Sequence, residues 1–259
     1  MDLGIAGRKA IICASSRGLG RACAQALAEA GCEIVINGRD AAVLEDTAAA
    51  IRASTGAKVL AVAADVATAD GQRALFDACP QPDILVNNNA GPPFKDFREL
   101  TRQQMIDGVI ANMVVAVELI QKAIDPMIQR RFGRIVNITS GSVKMPITGL
   151  DLSSGARAGL TAFLTGVARS VAGSNVTINN ILPGMFDTDR LQSNFAAAAK
   201  RGNVSVEEAR RERIGTVPAR RIGDPAEFGA ACAFLCSAHA GYIIGQNLLI
   251  DGGVYPGTM

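Results

Sequence analysis

Short apolar runs alternate with longer amphipathic stretches along most of this chain. The first two runs, Arg8–Ala14 and Glu33–Asn37, flank an Ala-rich amphipathic stretch that Gly31 ends. Short apolar runs favour buried strands, and an apolar period near 3.6 residues favours helices. A strand, a helix and a second strand within about thirty residues form one βαβ unit, in which the strands are parallel and the crossover is right-handed.

The same alternation continues to the carboxyl end. It predicts helix 41–54, strand 58–64, helix 71–78, strand 83–88, a helical region 99–130 that Asp125-Pro126 favours breaking, strand 134–138, helix 153–172, strand 176–182 and strand 247–250. Strands alternating with helices predict an α/β fold with a doubly wound, Rossmann-like parallel sheet. We see no linker and no internal repeat, so a single domain over residues 1–259 is expected.

The stretch 186–217 departs from this rhythm. It is polar, rich in Ala and Arg, and has no strand pattern. Because it follows Pro183-Gly184 at the end of a predicted strand, a helical segment here would cover a cleft. We therefore expect a helical lid, and an ordinary pair of surface helices is the alternative.

The composition excludes several classes of protein. The chain has 259 residues, of which 49% are hydrophobic, and a net charge of +2. Interleaved charges and an aromatic content of 4% without Trp argue against a nucleic-acid partner. No basic amino-terminal leader precedes an apolar run, and no apolar segment approaches ~20 residues. We therefore expect a cytoplasmic protein with no membrane span.

The cysteines and the single histidine give no metal site. The six Cys are scattered, and no second Cys/His pair completes a metal-binding spacing. We therefore expect the cysteines to be small, buried, apolar side chains of a protein in a reducing compartment. His239 reads as a surface residue, and no G-x-S-x-G motif accompanies it for a hydrolase.

A dinucleotide site is predicted at the first turn. Gly18 and Gly20 follow the first strand and open the first helix, where a backbone without Cβ can approach a pyrophosphate and the helix amino end can bind it. A tight turn without a ligand is the alternative. Arg39 ends the second strand and, helped by Arg17, would accommodate a 2′-phosphate, which favours NADP(H). Asp40 is a competing acid, so NAD(H) stays open.

These motifs resemble, in order, those of the short-chain dehydrogenase/reductase family. The matching positions are Ala14-x-x-x-Gly18-x-Gly20, Asp65-Val66, Asn87 to Gly91, Asn112, Ser140 and Pro183-Gly184. The tail is similar to the 3-oxoacyl-acyl-carrier-protein-reductase-like branch through Arg221-x-Gly223-x-Pro225-x-Glu227, Gly245-Gln246 and Asp251-Gly252-Gly253. The resemblance covers essentially the whole chain.

The resemblance implies a nicotinamide cofactor, a carbonyl or alcohol substrate, and a dimer or tetramer. The implied cofactor-binding residues are Ala14, Ser16, Arg17, Gly18, Leu19, Gly20, Arg39, Asp65, Val66, Asn88, Ala90, Arg157, Pro183 and Gly184. Two cofactor motifs depart from the family pattern. Ala14 replaces the first Gly of the turn motif, and the Asn-Asn-Ala-Gly motif has an additional Asn or is shifted.

The larger departure concerns the catalytic residues. The family uses Asn, Ser, Tyr and Lys, of which Asn112 and Ser140 are present. Where the resemblance places Tyr and Lys, this chain has Ser153 and Arg157. The two tyrosines of the chain, Tyr242 and Tyr255, lie beyond the last helix, so no shift of the alignment restores the Tyr.

In the family scheme, Tyr protonates the alkoxide that hydride transfer creates. Arg157 can hold ribose hydroxyls but stays protonated, and Ser153 is a weaker and shorter acid than a phenol. Positioned acid–base catalysis is worth about 10²–10⁴-fold, so slow turnover is expected. Lys144, or a water held by Ser153, Asn112 and Arg157, could supply the proton. For Lys144, a solvated loop lysine is the alternative.

Two hypotheses follow. The first is an NADP(H)-preferring oxidoreductase that reduces a ketone, with a 3-oxoacyl thioester as a candidate substrate, through an altered proton relay. That substrate rests on analogy with the family. The second is a catalytically impaired nucleotide-binding or partner-subunit protein of the same fold, paired with an active homologue.

Overall fold

The computed structural model describes residues 1–92 and 94–258, and its centre is a seven-stranded parallel sheet. The strands are β1 (Lys9–Ile12), β2 (Glu33–Gly38), β3 (Val59–Ala63), β4 (Ile84–Asn87), β5 (Gly133–Ile138), β6 (Val176–Pro183) and β7 (Asn247–Ile250). Their order, β3-β2-β1-β4-β5-β6-β7, confirms the doubly wound Rossmann-like fold. The order reverses between β1 and β4, and such a switch point leaves a crevice at the carboxyl ends of the strands.

The helices cover both faces of this sheet. They are α1 (Gly18–Glu29), α2 (Ala41–Thr55), α3 (Ala69–Ala78), α4 (Arg102–Val109), α5 (Val115–Gln129), α6 (Asp151–Val171), α7 (Asp189–Gly202), α8 (Val206–Gly215) and α9 (Pro225–Cys236). One apolar core packs α1, α2 and α9 against the sheet, and a second core packs α3, α5 and α6 against the other face. The predicted bounds of the strands and helices agree with these to within a few residues.

The helical region between β4 and β5 differs from its prediction in one respect. Pro126 lies inside α5 and the helix continues to Gln129, so the break expected near Asp125-Pro126 is wrong. The proline lies in the last turn, where the missing N–H removes a single backbone bond close to the helix end. The irregularity lies earlier, in a π-helical segment, Ile110–Val114, which joins α4 to α5 and contains Asn112.

This joined helix is also the longest apolar element of the described chain. Arg102–Gln129 spans 28 residues with a mean hydropathy of 1.3, and is apolar enough, by length and composition alone, to cross a membrane. It is the exception to the expectation that no apolar segment approaches ~20 residues. Only 28% of its apolar window is buried. Much of this apolar surface therefore faces outward.

Four asparagines form a side-chain ladder across the carboxyl half of the sheet. Asn87 Nδ2 donates to Asn137 Oδ1 at 2.9 Å, Asn137 Nδ2 donates to Asn180 Oδ1 at 3.0 Å, and Asn180 Nδ2 donates to Asn247 Oδ1 at 2.8 Å. The same residues are register partners in the β4–β5, β5–β6 and β6–β7 pairs. Asn137 is 1% exposed. Because buried amides must be bonded, the ladder selects this register.

The substitution Asn137→Leu tests the ladder. It removes the side-chain donor to Asn180 Oδ1 and to the Asn179 carbonyl, and it leaves Asn87 Nδ2 with only its 3.4 Å contact to the Ala116 carbonyl. Each buried group left unpaired costs about 1–3 kcal/mol, so we expect the free energy of unfolding in urea to fall by about 2–5 kcal/mol. Asn194→Leu, on the exposed side of α7, is the control and should change stability by less than about 0.5 kcal/mol. Equal effects of the two substitutions would contradict the assignment.

Candidate cofactor and substrate site

The turn after β1 approaches the cleft with strained backbone. Ala14 has a φ of +44°, in the left-handed region that favours glycine, and this conformation costs about 1–2 kcal/mol for a residue with Cβ. Its N–H donates to Asn37 Oδ1 at 3.3 Å, and its carbonyl accepts from Asn88 Nδ2 at 3.1 Å. Side chains from β2 and from the turn after β4 therefore hold Ala14 in place.

Gly20 lies opposite that carbonyl. A Cβ at Gly20 would clash with the Ala14 oxygen and would lie 2.9 Å from Asn88 Nδ2. Arg17 is the N-cap residue of α1 but makes no side-chain capping bond, and the first turn of the helix has no acid. The amino end of α1 therefore has neither a side-chain cap nor an acid of its own helix, which leaves its N–H groups and dipole available to an anion.

The end of β2 distinguishes Arg39 from Asp40. Asp40 Oδ1 accepts from the backbone N–H groups of Ala42 and Val43, at 3.1 and 3.2 Å, and so caps α2. This carboxylate is committed to the helix, whereas Arg39 is exposed and makes no ion pair within the described residues. Arg17 lies 3.9 Å from Asp189, and both side chains are largely exposed, so their attraction is weak.

The other predicted cofactor residues are distributed along the same edge. Asp65 Oδ1 accepts from the Ala67 N–H at 2.9 Å, and Val66 is 3% exposed, so that Val66 has only backbone to offer a ligand. Leu19 packs against the core on the α1 side of the sheet. Further residues follow β1, β4 or β6, or end β6: Ser16, Ala90, Pro183 and Gly184.

Asn112 and Ser140 come from two different elements beside this edge. Asn112 is 5% exposed in the π-helical segment, and its Nδ2 donates to the Gly108 carbonyl at 3.0 Å. Its Oδ1 has no partner. Ser140 follows β5, and its Oγ accepts from the Ser142 N–H at 3.1 Å. A π-helical segment often marks a functional position, and here it carries the predicted Asn.

Arg157 and Ser153 lie one turn apart on α6 and are bonded to each other. Arg157 Nε donates to Ser153 Oγ at 3.3 Å, and Nη1 donates to the carbonyls of Ile138 and Thr139 at 2.7 and 2.9 Å. Burial, and secondarily the charge of Arg190, lowers the pKa of Arg157 to about 10. The guanidinium therefore remains a cation at neutral pH while it ties α6 to the end of β5.

A small cavity adjoins this guanidinium. Its volume is about 20 Å³, and Asn87, Asn112 and Arg157 are among the residues that line it. The Oδ1 atoms of Asn87 and Asn112 are both buried without partners. A cavity of this size holds one water, which needs two or more polar partners. Two unpaired acceptors beside a guanidinium meet that requirement.

Lys144 lies in the loop after Ser140 and has an aromatic neighbour that the sequence did not indicate. Its Nζ lies 5.6 Å from the centre of the Tyr255 ring. Tyr255 follows β7, and its N–H donates to Asp251 Oδ2 at 2.8 Å. From the sequence, Tyr255 was placed only beyond the last helix and was given no place in the site. The pairing of β7 with β6 is what returns this tail to the cleft side, and a sequence pattern does not give strand order.

The remaining candidates lie away from this arrangement. All six Cys are buried and unpaired by disulfides, as expected of small apolar side chains. His239 is exposed, with its Nε2 2.9 Å from the Asp2 carbonyl oxygen. Within residues 1–92 and 94–258, no three His, Cys, Asp or Glu side chains group together as metal ligands.

A doubly wound parallel sheet with a Gly-rich turn beside its switch point defines a dinucleotide-binding protein of the Rossmann type. A family model described as Enoyl-(Acyl carrier protein) reductase matches residues 13–255. The chain belongs to the short-chain dehydrogenase/reductase family, in its 3-oxoacyl-acyl-carrier-protein-reductase-like branch. Homologues of this kind are oxidoreductases.

Individual relatives extend over nearly the whole chain. The 3-oxoacyl-[acyl-carrier-protein] reductase FabG of Vibrio harveyi is 30% identical over 257 residues, covering 98% of this chain and 99% of that protein. The NADPH-dependent reductase BacG of Bacillus subtilis is 30% identical over 251 residues, covering 95% and 97%. The L-sorbose reductase of Gluconobacter frateurii, solved with NADPH and L-sorbose, superposes with a TM-score of 0.93 at 28% identity, covering 99% of this chain and 100% of that one.

Proposed function

We propose that this chain is an NADPH-dependent reductase of ketones. The observation that supports NADPH as the cofactor lies at the end of β2. There Asp40 caps α2, and Arg39 is exposed. An unpaired Arg beside the ribose site favours the 2′-phosphate of NADPH. Relatives described as NADPH-dependent, and a solved relative with NADPH bound, support the same cofactor.

The residues present fit this cofactor. The Gly20 backbone approaches the Ala14 carbonyl with no room for a Cβ, and the open amino end of α1 would bind the pyrophosphate. Arg39 and Arg17 would hold the 2′-phosphate. Bound NADPH would supply the hydride for a carbonyl carbon. The adenine end would lie toward Asp65 and Val66, after β3.

The substrate is a ketone in this proposal, and a 3-oxoacyl thioester is the first to assay. The relatives support this choice, because several are described as 3-oxoacyl-[acyl-carrier-protein] reductases and one as an acetoacetyl-CoA reductase. Ser140, at the end of β5, would donate its hydroxyl hydrogen to the ketone oxygen. Its Oγ already accepts from Ser142 N–H, which leaves that hydrogen for a ligand.

The proton relay is altered in this proposal, with Ser153 and Arg157 in the places of Tyr and Lys. Arg157 polarises Ser153 Oγ through Nε but cannot give up its own proton at neutral pH. A water in the cavity beside Asn112 would then be the proton source. A missing phenol costs about 10²–10⁴-fold in rate, so the enzyme is slow on a simple ketone.

The segment 186–217 would act as the lid. It forms α7 and α8, and the amino end of α7 adjoins the cofactor turn, because a Cβ on Gly18 would lie 3.5 Å from Thr188 Cγ2. A helix in this place would cover a dinucleotide bound at the turn after β1.

The implied subunit partner is a second copy of this chain. The outward side of the helical run from α4 to α5 and of α6 exposes a set of large apolar side chains: Met105, Ile106, Val109, Ile110, Val114 and Phe163, each at least 36% exposed. A contiguous apolar face of this kind on two neighbouring helices fits a self-complementary helical interface.

Sedimentation velocity tests the interface. We expect the full chain to sediment as a dimer or tetramer, and Ile106→Asp to raise the dissociation constant by about tenfold or more, because it places a charge in an apolar contact. Val204→Asp introduces the same charge at an exposed apolar residue between α7 and α8 and should leave assembly unchanged. A monomeric wild type would contradict the proposal.

NADPH fluorescence tests the cofactor. We expect the wild type to bind NADPH, and Arg39→Ala to raise its dissociation constant by about 10- to 100-fold, the value of a charge-assisted contact to phosphate. NADH affinity should stay within about twofold, since NADH lacks the phosphate. Arg98→Ala, an exposed arginine paired with Asp96, is the control. Absence of NADPH binding at millimolar concentration would refute the proposed function.

The double substitution Ser153→Tyr, Arg157→Lys tests the relay. We expect it to raise kcat on a 3-oxoacyl thioester by about 10- to 10⁴-fold, because a phenol beside an ammonium can donate the proton. Ser153→Phe, Arg157→Lys is the matched control, which fills the same space without the hydroxyl and should gain nothing. A wild type that already turns over rapidly would show that another acid, such as Lys144, does this work.

A further inference from the structure

Two guanidinium groups from different helices meet beside the turn that follows β4. A Cβ built on Gly91 would lie 3.2 Å from both Nη atoms of Arg190 and 3.6 Å from Nη2 of Arg157. Arg157 reaches this point from α6, and Arg190 reaches it from the first turn of α7. Two cations therefore border one point of backbone at the carboxyl edge of the sheet.

Arg157 has one edge of its fork unused. Nε and Nη1 are bonded to Ser153 and to the β5 carbonyls, whereas Nη2, the atom facing Gly91, has no hydrogen-bond partner among the described residues. The side chain is only 8% exposed. Nη2 is not among the fully buried side-chain atoms without a partner, so it keeps some contact with solvent and is available to an acceptor from outside the chain.

The neighbour of that edge is a second cation. The exposed side chain of Arg190 makes no hydrogen bond or ion pair with any described residue. Of the two acids that flank Thr188, Asp187 accepts from Gln192 at 2.6 Å, and Asp189 lies 3.9 Å from Arg17. Two like charges close together disfavour each other, and no carboxylate of the described chain lies between them. An anion between the two guanidinium groups would attract both of them and offset their mutual repulsion.

We propose that Arg157 Nη2 and Arg190 together bind the carboxylate of an anionic ketone, so that the substrate class is an oxo acid. The inference rests on the proposed function for the ketone, but the anion site itself does not. Guanidinium forks match carboxylates in geometry and charge. The site adjoins the reacting position, because Nη1 of the same arginine bonds the Thr139 carbonyl, one residue before Ser140.

Malonate, a carboxylate that cannot be reduced, is the probe, and its neutral diamide is the matched ligand. Titration calorimetry is run on the full chain with and without NADP⁺. We expect malonate to bind and malonamide not to bind. Arg190→Gln should weaken malonate by about 10- to 100-fold, the effect of losing a charge-assisted contact. Arg201→Gln, near the other end of α7 and exposed, should leave malonate affinity unchanged.

Turnover gives a second readout. The ratio of kcat/KM for acetoacetate to that for its methyl ester should fall at least about tenfold in Arg190→Gln. Malonate that does not bind the wild type, or binds Arg190→Gln equally well, overturns the inference. The inference is also overturned if Arg190→Gln loses affinity for NADPH but keeps its affinity for malonate, because Arg190 would then bind the pyrophosphate of the cofactor. If neither ketone is reduced while malonate binds through Arg190, the proposed function fails and the anion site stands.

Discussion

The interaction on which the site depends is the bonding of Arg157 to the end of β5. Nη1 spans the carbonyls of Ile138 and Thr139, just where the strand gives way to the Ser140 turn. These carbonyls lie at the end of a sheet strand, so without a donor they would lack partners in a buried place. A cation fixed there sets the distance between α6, the turn and the cleft. The proposed roles of Ser140, Ser153 and Arg157 all depend on this spacing.

The asparagine ladder connects the sheet to the site. Asn87, Asn137 and Asn180 each donate Nδ2 toward the β7 side, so the free acceptor is left at the β4 end, on Asn87 Oδ1. Asn87 lines the small cavity together with Asn112 and Arg157. Sheet register, cavity polarity and the cation are thus parts of one hydrogen-bonded arrangement. A substitution in the sheet can therefore alter the site without touching a ligand.

The alternation of apolar runs was enough to predict the strands, the helices up to α6 and the carboxyl edge on which the site lies, because burial on both faces leaves a clear pattern. No bounds were predicted for α9 (Pro225–Cys236). The Pro126 break was wrong because helix context overrides a local preference in a last turn. Two contacts could not be predicted from the sequence. The contact of Tyr255 with Lys144 depends on strand order, and the approach of Arg190 to Gly91 depends on where α7 lies. The role of Asp40 became clear only from its capping bonds to Ala42 and Val43.

In the proposed relay, a guanidinium stands where the family resemblance places an ammonium, and this changes what the residue can do in the cleft. A lysine in such a place can hold ribose and influence a neighbouring phenol, whereas an arginine has five donors in a plane and retains its proton. Here three of its contacts serve the protein, two to carbonyls and one to Ser153, which makes it a fixed support rather than a relay. The unused Nη2 then becomes the feature that distinguishes this cleft. In our proposal, Nη2 and Arg190 together recognise an anionic ligand, and the loss of a fast proton donor accompanies this recognition.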